Sequence, residues 1–366
     1  MTGFFQSIVT IGLFILILGV LVVIHELGHF FTARAFRVRV LEFGIGFPPR
    51  AKVMRSKGET LYTLNWLPIG GFVKLEGEDG TDADDPRPFA AQRYLTKIVI
   101  LVAGVAMNVA LAFAIFTGIA LYGDPTVGIE VGGVQAGSPA ETAGIVAGDT
   151  IVTIDGKTYV AFDRLSPLDG LRSHAGEMVT LGIKSTDGTV EPVTVTLRPA
   201  SQIDAQHGAL GIERSKAAVL ADPLHYSVGE AIQIGVQRTV DALGLIVGGL
   251  GTLAESIVNR PTEAPPVQGP VGIATQIGDI FWQLGPLFTL YVAGVLSANL
   301  AVVNILPFPP LDGGRMLMIT LKRFLGARLS VRAEQLTYMV GFVFLFAFLI
   351  WVTGYDIIRS LGGGGT

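Results

Sequence analysis

The chain has 366 residues, half of them hydrophobic and only 15% charged, against roughly a quarter charged in an ordinary soluble protein; it reads as a membrane protein. A formal net charge of −4 offers no basic excess to neutralise a phosphate backbone, which sets nucleic acid aside as a partner. Cysteine is absent, so disulfide frameworks, thiolate nucleophiles and Cys-based zinc sites are excluded, and His, Asp and Glu remain as ligands for a catalytic metal.

From Phe4 to Ile24 no side chain is ionisable, and the apolar character continues around His25, Glu26 and His29 to Ala33. At ~1.5 Å per residue this predicts a helix of about 45 Å, longer than the ~30 Å hydrocarbon core. Lacking a basic leader and a small-residue cleavage site, it reads as a retained span. Leu61 to Glu78, LYTLNWLPIGGFVKLEGE, places β-favouring residues around a Pro-Ile-Gly-Gly turn and predicts a β-hairpin. A second span is expected at about Ile98 to Leu121, a third at Leu284 to Leu306 and a fourth at Leu336 to Val352. Ala242 to Ala254 is also uncharged, but it is short and bracketed by Arg238, Asp241 and Glu255. It is expected to be an amphipathic, interfacial helix.

Arg34, Arg37, Arg39, Arg50, Lys52, Arg87, Arg93 and Lys97 flank the first two spans, and Arg315, Lys322, Arg323, Arg328 and Arg332 lie between the last two. Positive loops stay cytoplasmic, which puts both termini and the segment from Tyr122 to Trp282 on the outer side. That segment opens with a soluble module from Thr126 to Pro199. A strand at Val127–Val134 precedes a short helix opened by Ser138-Pro139 and closed by Gly144. Ile151–Ile154, a tight turn at Asp155-Gly156, a second helix within Asp163–Ser173 and strands at Met178–Lys184 and Val190–Leu197 complete it. A small sheet capped by two helices resembles a PDZ domain, and AGSPAETAGIVAGDTIVTIDGK from Ala136 to Lys157 is similar to bacterial members.

The expected fold is therefore a polytopic α-helical membrane protein of four transmembrane helices, with an inserted α+β PDZ domain and a cytoplasmic-side, membrane-associated β-hairpin. Residues 1–122 hold the first two spans, 123–200 the PDZ domain, 201–283 an outer amphipathic helical segment, 284–361 the last two spans and 362–366 a flexible tail.

His25-Glu26-Leu27-Gly28-His29 is an HExxH motif on an apolar helical background. Its i, i+4 spacing puts both imidazoles on one face, about 6 Å apart at Cβ, with the Glu beside them to take a proton from the attacking water. The plainer reading is a pair of wetted polar residues ending a span; against it, ionisable groups at membrane depth are expensive and usually functional. A catalytic zinc needs a third protein ligand. His174, His207 and His225 fall in the outer segment, on the wrong side. Asp312 follows the third span, which runs from outside to inside as the first does, so both spans end on the same side. Pro307, Pro309 and Pro310 break the helix before it, and Gly313-Gly314 after it allow a close backbone approach to a metal site. A capping Asp at the next helix is the alternative there. Asn299 and Asn304, upstream on the same span, either hold substrate backbone or an oxyanion, or bond neighbouring helices.

Together HELGH, NILPFPPLDGG (Asn304–Gly314), GGFVKLEGE (Gly70–Glu78), AGVAMN (Ala103–Asn108) and QGPVGIA (Gln268–Ala274) resemble the site-2 protease family of intramembrane zinc proteases, in particular the bacterial type that regulates sigma-E. The resemblance covers nearly the whole chain. It implies Zn2+ as cofactor, His25, His29 and Asp312 as its ligands and Glu26 as the catalytic base. It implies that Asn299 and Asn304 help hold an unwound substrate and that the hairpin, through Gly71, Phe72 and Val73, pairs with it as an added strand. The implied substrate is a single-pass transmembrane protein, an anti-sigma factor or a signal-peptide remnant, cut in regulated intramembrane proteolysis after a first outer-side cleavage. The implied place is the bacterial inner membrane, with both termini and the PDZ domain periplasmic and a peptide C-terminus as a ligand for the PDZ domain. One PDZ module stands here where the best-known enterobacterial type has two. A catalytically inert PDZ scaffold is the rival reading, and a transporter is disfavoured by four spans without a repeat.

Overall fold

The computed structural model describes residues 2–56, 58–78, 87–163, 166–204, 206–213, 215–220, 222–260, 263–325 and 331–361; the tail expected at 362–366 lies outside them. The chain begins with α1 (Thr2–Ala35), β1 (Val40–Arg55), β2 (Leu61–Leu75) and α2 (Tyr94–Tyr122). There follow β3 (Thr126–Glu130), β4 (Gly133–Val134), α3 (Pro139–Thr142), β5 (Thr150–Ile154), β6 (Lys157–Val160), α4 (Pro167–Ser173), β7 (Met178–Lys184), β8 (Val190–Thr196), β9 (Ile212–Glu213) and β10 (Lys216–Val219). The last third is helical: α5 (Val228–Asn259), α6 (Pro270–Leu284), α7 (Pro286–Ile305), α8 (Asp312–Leu325) and α9 (Val331–Leu361). Two units result, Met1–Thr117 with Gln233–Thr366, and Gly118–Ile232.

In the first unit, apolar side chains face outward along the long helices: Phe4, Phe5 and Leu16 on α1 and Phe342, Phe344 and Ile350 on α9 are all exposed. Only lipid makes such surfaces favourable over this length. Five described helices are long and apolar enough to cross a membrane: α1, α2, α5, α7 and α9. Four of these coincide with the stretches expected as spans. The fifth, α5, contains the stretch expected to lie in the interface. It runs for 32 residues because Arg238 and Asp241, which bracket the uncharged stretch, do not end the helix; Arg238 is buried within it.

The hairpin is larger than the sequence indicated. Val40, Glu42, Phe43, Gly44 and Ile45 of β1 pair antiparallel with Leu75, Lys74, Val73, Phe72 and Gly71 of β2. The far half of β1 pairs with the near half of β2, Val53 opposite Thr63 and Lys52 opposite Leu64, while Phe43 to Ile45 also lie beside Tyr62 to Leu64. Each long strand therefore doubles back, giving four segments with Gly71–Leu75 at one edge. Its root packs Val40, Phe43 and Leu75 against Phe30 of α1 and Ile100 and Leu101 of α2. Its tip exposes Phe47, Trp66 and Leu67. The first half of this sheet was invisible to periodicity, since Gly44, Gly46 and Pro48-Pro49 interrupt the alternation.

The second unit is a six-stranded sheet in the order β10-β3-β6-β5-β7-β8, with β4 pairing β9 separately. Ile129, Ile151, Ile154, Tyr159, Leu171, Leu181 and Leu197 fill its core. Ser138 caps α3 by accepting from the Glu141 amide, and Ser166 with Asp169 forms a reciprocal capping box on α4. The unit runs past residue 200, the boundary expected from the sequence, because Lys216–Val219 adds an edge strand antiparallel to Val127–Glu130. This short strand, Lys-Ala-Ala-Val, has too little alternation to register as one.

Candidate metal centre

Helix α1 carries His25 and His29 one turn apart, both buried. Helix α7 ends at Ile305, and after a six-residue break Asp312 opens α8. That break is tight. A methyl on Gly313 would stand 2.1 Å from the Ile305 carbonyl oxygen and one on Gly314 2.6 Å from the Phe308 carbonyl carbon, so the glycine pair serves the turn itself. The close approach, expected at a metal site, is instead to the preceding backbone, and it swings the first side chain of α8 toward α1.

There Asp312 Oδ2 lies 3.0 Å from His25 Nε2 and 3.2 Å from His29 Nε2, and the two Nε2 atoms are 3.1 Å apart. Three donors on a tetrahedral zinc with bonds of about 2.0–2.1 Å would be separated by about 3.3 Å. Among the described residues this is the one group of three His, Cys, Asp or Glu side chains able to hold a metal ion. Burial alone would raise the Asp312 carboxyl, but hydrogen bonds from both imidazoles outweigh it and hold it below the usual carboxylate range. The ionised carboxylate is the form in which an aspartate can ligate a metal.

Helix α2 forms the back wall. His29 Nδ1 donates to the Ile100 carbonyl at 2.9 Å, and Asn108, fully buried, meets His25 Nδ1 at 3.2 Å. Gly104 lies between them, where a methyl would stand 2.4 Å from His29 Nε2 and 2.8 Å from His25 Cε1. Gly28, inside the motif, leaves room in turn for the Ala103 carbonyl, 2.4 Å from where its methyl would be. Ser297 of α7 donates to the Asn108 carbonyl at 2.8 Å, tying the wall to the third expected span.

Glu26 sits on the partly buried side of α1, and the sheet edge reaches it: a methyl on Gly71 would lie 3.8 Å from Glu26 Cγ and 3.6 Å from Val23. Arg315, one turn into α8, is ion-paired with Glu78 just beyond that edge, a role that no local pattern announces. Asn299 and Asn304 lie partly buried on α7. The three other histidines stay in the second unit: His207 pairs with Asp204 at 2.9 Å, His174 donates to the Gly170 carbonyl at 2.8 Å and His225 packs beside Gly123. Sequence reasoning missed Asn108 and Gly104, though both lie in AGVAMN; a lone amide in an uncharged span was the available signal.

The description of peptidase family M50, the site-2 proteases, matches residues 13–348 of this chain. The chain belongs to peptidase family M50. A Clostridium acetobutylicum protein bearing the name putative zinc metalloprotease is 32% identical over 362 residues, covering 97% of this chain and 99% of its own. A Clostridium perfringens protein of the same name is 33% identical over 344 residues, 94% of this chain and 97% of its own. One from Brucella suis is 27% identical over 367 residues, 95% of each. As an M50 member the chain is a zinc metalloprotease, and its long apolar helices make it a membrane protein.

Proposed function

We propose that this chain is an intramembrane endopeptidase in which His25, His29 and Asp312 bind zinc and Glu26 is the catalytic base. The observation that carries the reading is the triangle of Nε2, Nε2 and Oδ2 atoms with edges of 3.0–3.2 Å, one residue from a glutamate beside a sheet edge. Zinc bound there supplies Lewis acidity toward water and toward the scissile carbonyl. Glu26 takes the proton of the attacking water and passes it to the departing amine. A substrate helix has every peptide group satisfied internally and must open before it can react. Gly71, Phe72 and Val73 line a free strand edge that can take up the opened segment, and Asn299 and Asn304 supply amides to its backbone.

The meeting of the α1 motif with Asp312 supports four crossings. If α1 and α7 end on one side and α2 returns between them, the chain from the end of α2 to the start of α7 starts and finishes on one side, so it crosses an even number of times. Helix α5 would then need α6 as a partner span. At 15 residues, α6 falls short of the ~20 a span requires, and α5 lies in the interface. The positive loops orient the hairpin and α8 toward the cytoplasm of a bacterial inner membrane, with the single PDZ-type module of the second unit periplasmic. We assign as substrates single-pass proteins such as anti-sigma factors or signal-peptide remnants, screened by that module after a first outer cut.

The test is cleavage of a model transmembrane substrate by Glu26→Gln protein that retains zinc. A fall of at least about 100-fold is expected. Undiminished turnover removes Glu26 from the mechanism, and purified wild-type protein without stoichiometric zinc or chelator-sensitive cleavage would instead support an inert PDZ scaffold.

A further inference from the structure

A histidine that binds a metal through Nε2 carries its remaining proton on Nδ1, and the acceptor of that proton fixes both tautomer and ring orientation. His29 meets this requirement openly, because its Nδ1 faces the Ile100 carbonyl at 2.9 Å, a group that can only accept. His25 faces the Asn108 amide, with Nδ2 placed 3.2 Å from Nδ1. In that orientation the amide donates, Nδ1 is the acceptor and the proton of His25 sits on Nε2, the atom aimed at the metal position. Turning the amide by half a rotation about its last side-chain bond brings Oδ1 to Nδ1 and reverses the tautomer; nitrogen and oxygen in such a group are interchangeable by shape alone.

Three further observations favour a built contact. Asn108 is fully buried and its Oδ1 has no hydrogen-bond partner as placed, a penalty that an apolar residue in this helix would avoid. Ile100, Gly104 and Asn108 recur every four residues, so one face of α2 carries an acceptor, a gap for both rings and a second acceptor. Ser297 anchors the Asn108 backbone from α7.

We infer that Asn108 is a positioning residue that accepts the Nδ1 proton of His25 through Oδ1, holding this ring in the tautomer that ligates zinc, as the Ile100 carbonyl holds His29. The inference rests on the zinc reading of the centre. It predicts that an acceptor, and not merely a side chain of this size, is required at position 108.

The experiment uses full-length protein in detergent, with zinc affinity measured by competition against a chromophoric chelator and folding checked by thermal unfolding of the apo protein. Asn108→Leu, alike in branching but without an acceptor, is expected to weaken zinc binding about 10–100-fold, while Asn108→Asp, which keeps the acceptor, stays within about threefold of wild type. If the Leu variant does not fold, Asn108→Ala takes its place. A folded Leu or Ala variant that binds zinc as wild type does overturns the inference, and so does an equal loss in the apolar and Asp variants. Failure of wild-type protein to bind zinc would instead overturn the zinc reading itself.

Discussion

The two units bury polar side chains for different ends. In the second, Ser138 accepts from the Glu141 amide at 3.2 Å, Asp149 from the Val146 amide at 3.0 Å, and Thr126 donates to the Asp222 carbonyl at 2.7 Å. Each completes backbone that the fold leaves unpaired. In the first, His25, His29 and Asp312 satisfy one another, side chain to side chain. Apolar residues differ likewise, forming the centre of the sheet unit and the outer face of the helical one. Those three buried groups thus complete turns, caps and edges of the sheet unit, whereas the buried triad of the helical unit gathers donors that face one another.

That contrast breaks most readily at Asp312. Asp312→Ala removes one of three donors, and zinc content should fall below one tenth of stoichiometric, with cleavage at background; metal analysis of purified protein decides it. Gly104→Ala comes next. Its methyl would collide with both imidazoles, so zinc affinity should fall at least about tenfold and the fold should lose about 1–3 kcal/mol from overpacking. Equal zinc affinity in that variant would mean that α2 does not form the wall of the site. Arg315→Leu removes the cation from Glu78, which keeps the Leu75 amide as a donor; the arginine is partly exposed, so about 1 kcal/mol in urea unfolding is expected, and the Glu78-Arg315 charge swap should recover part of it. Smallest in its functional reach is Ser138→Ala. About 1 kcal/mol of stability should be lost with the cap, while zinc affinity stays at the wild-type value. A change in zinc binding there would show that the units are coupled after all.

Local signals made some parts readable from sequence and left others hidden. Ser138-Pro139 and Asp155-Gly156 act through their own neighbours, and the helices and strands they bound fall within a few residues of their expected places. The HExxH pair was legible for the same reason, since one helical turn sets its geometry. Asp312 needed an argument about sides of the membrane, and its carboxylate does meet both imidazoles. The far half of the sheet, the edge strand at Lys216–Val219 and the Arg315–Glu78 pair depend on partners distant in sequence. No local pattern encodes such pairing, and the glycines that permit the sheet to fold back erase the alternation that would announce it.

The separation of 287 residues between His25 and Asp312 also sets an order of manufacture. A ribosome adding roughly 5–20 residues per second finishes the motif-bearing helix first and reaches the aspartate roughly 15–60 s later. Throughout that interval the nascent chain holds two imidazoles and a glutamate without the carboxylate that closes the triangle. A hydrolase made beside newly inserted membrane helices is therefore unarmed until most of its own polypeptide has been delivered.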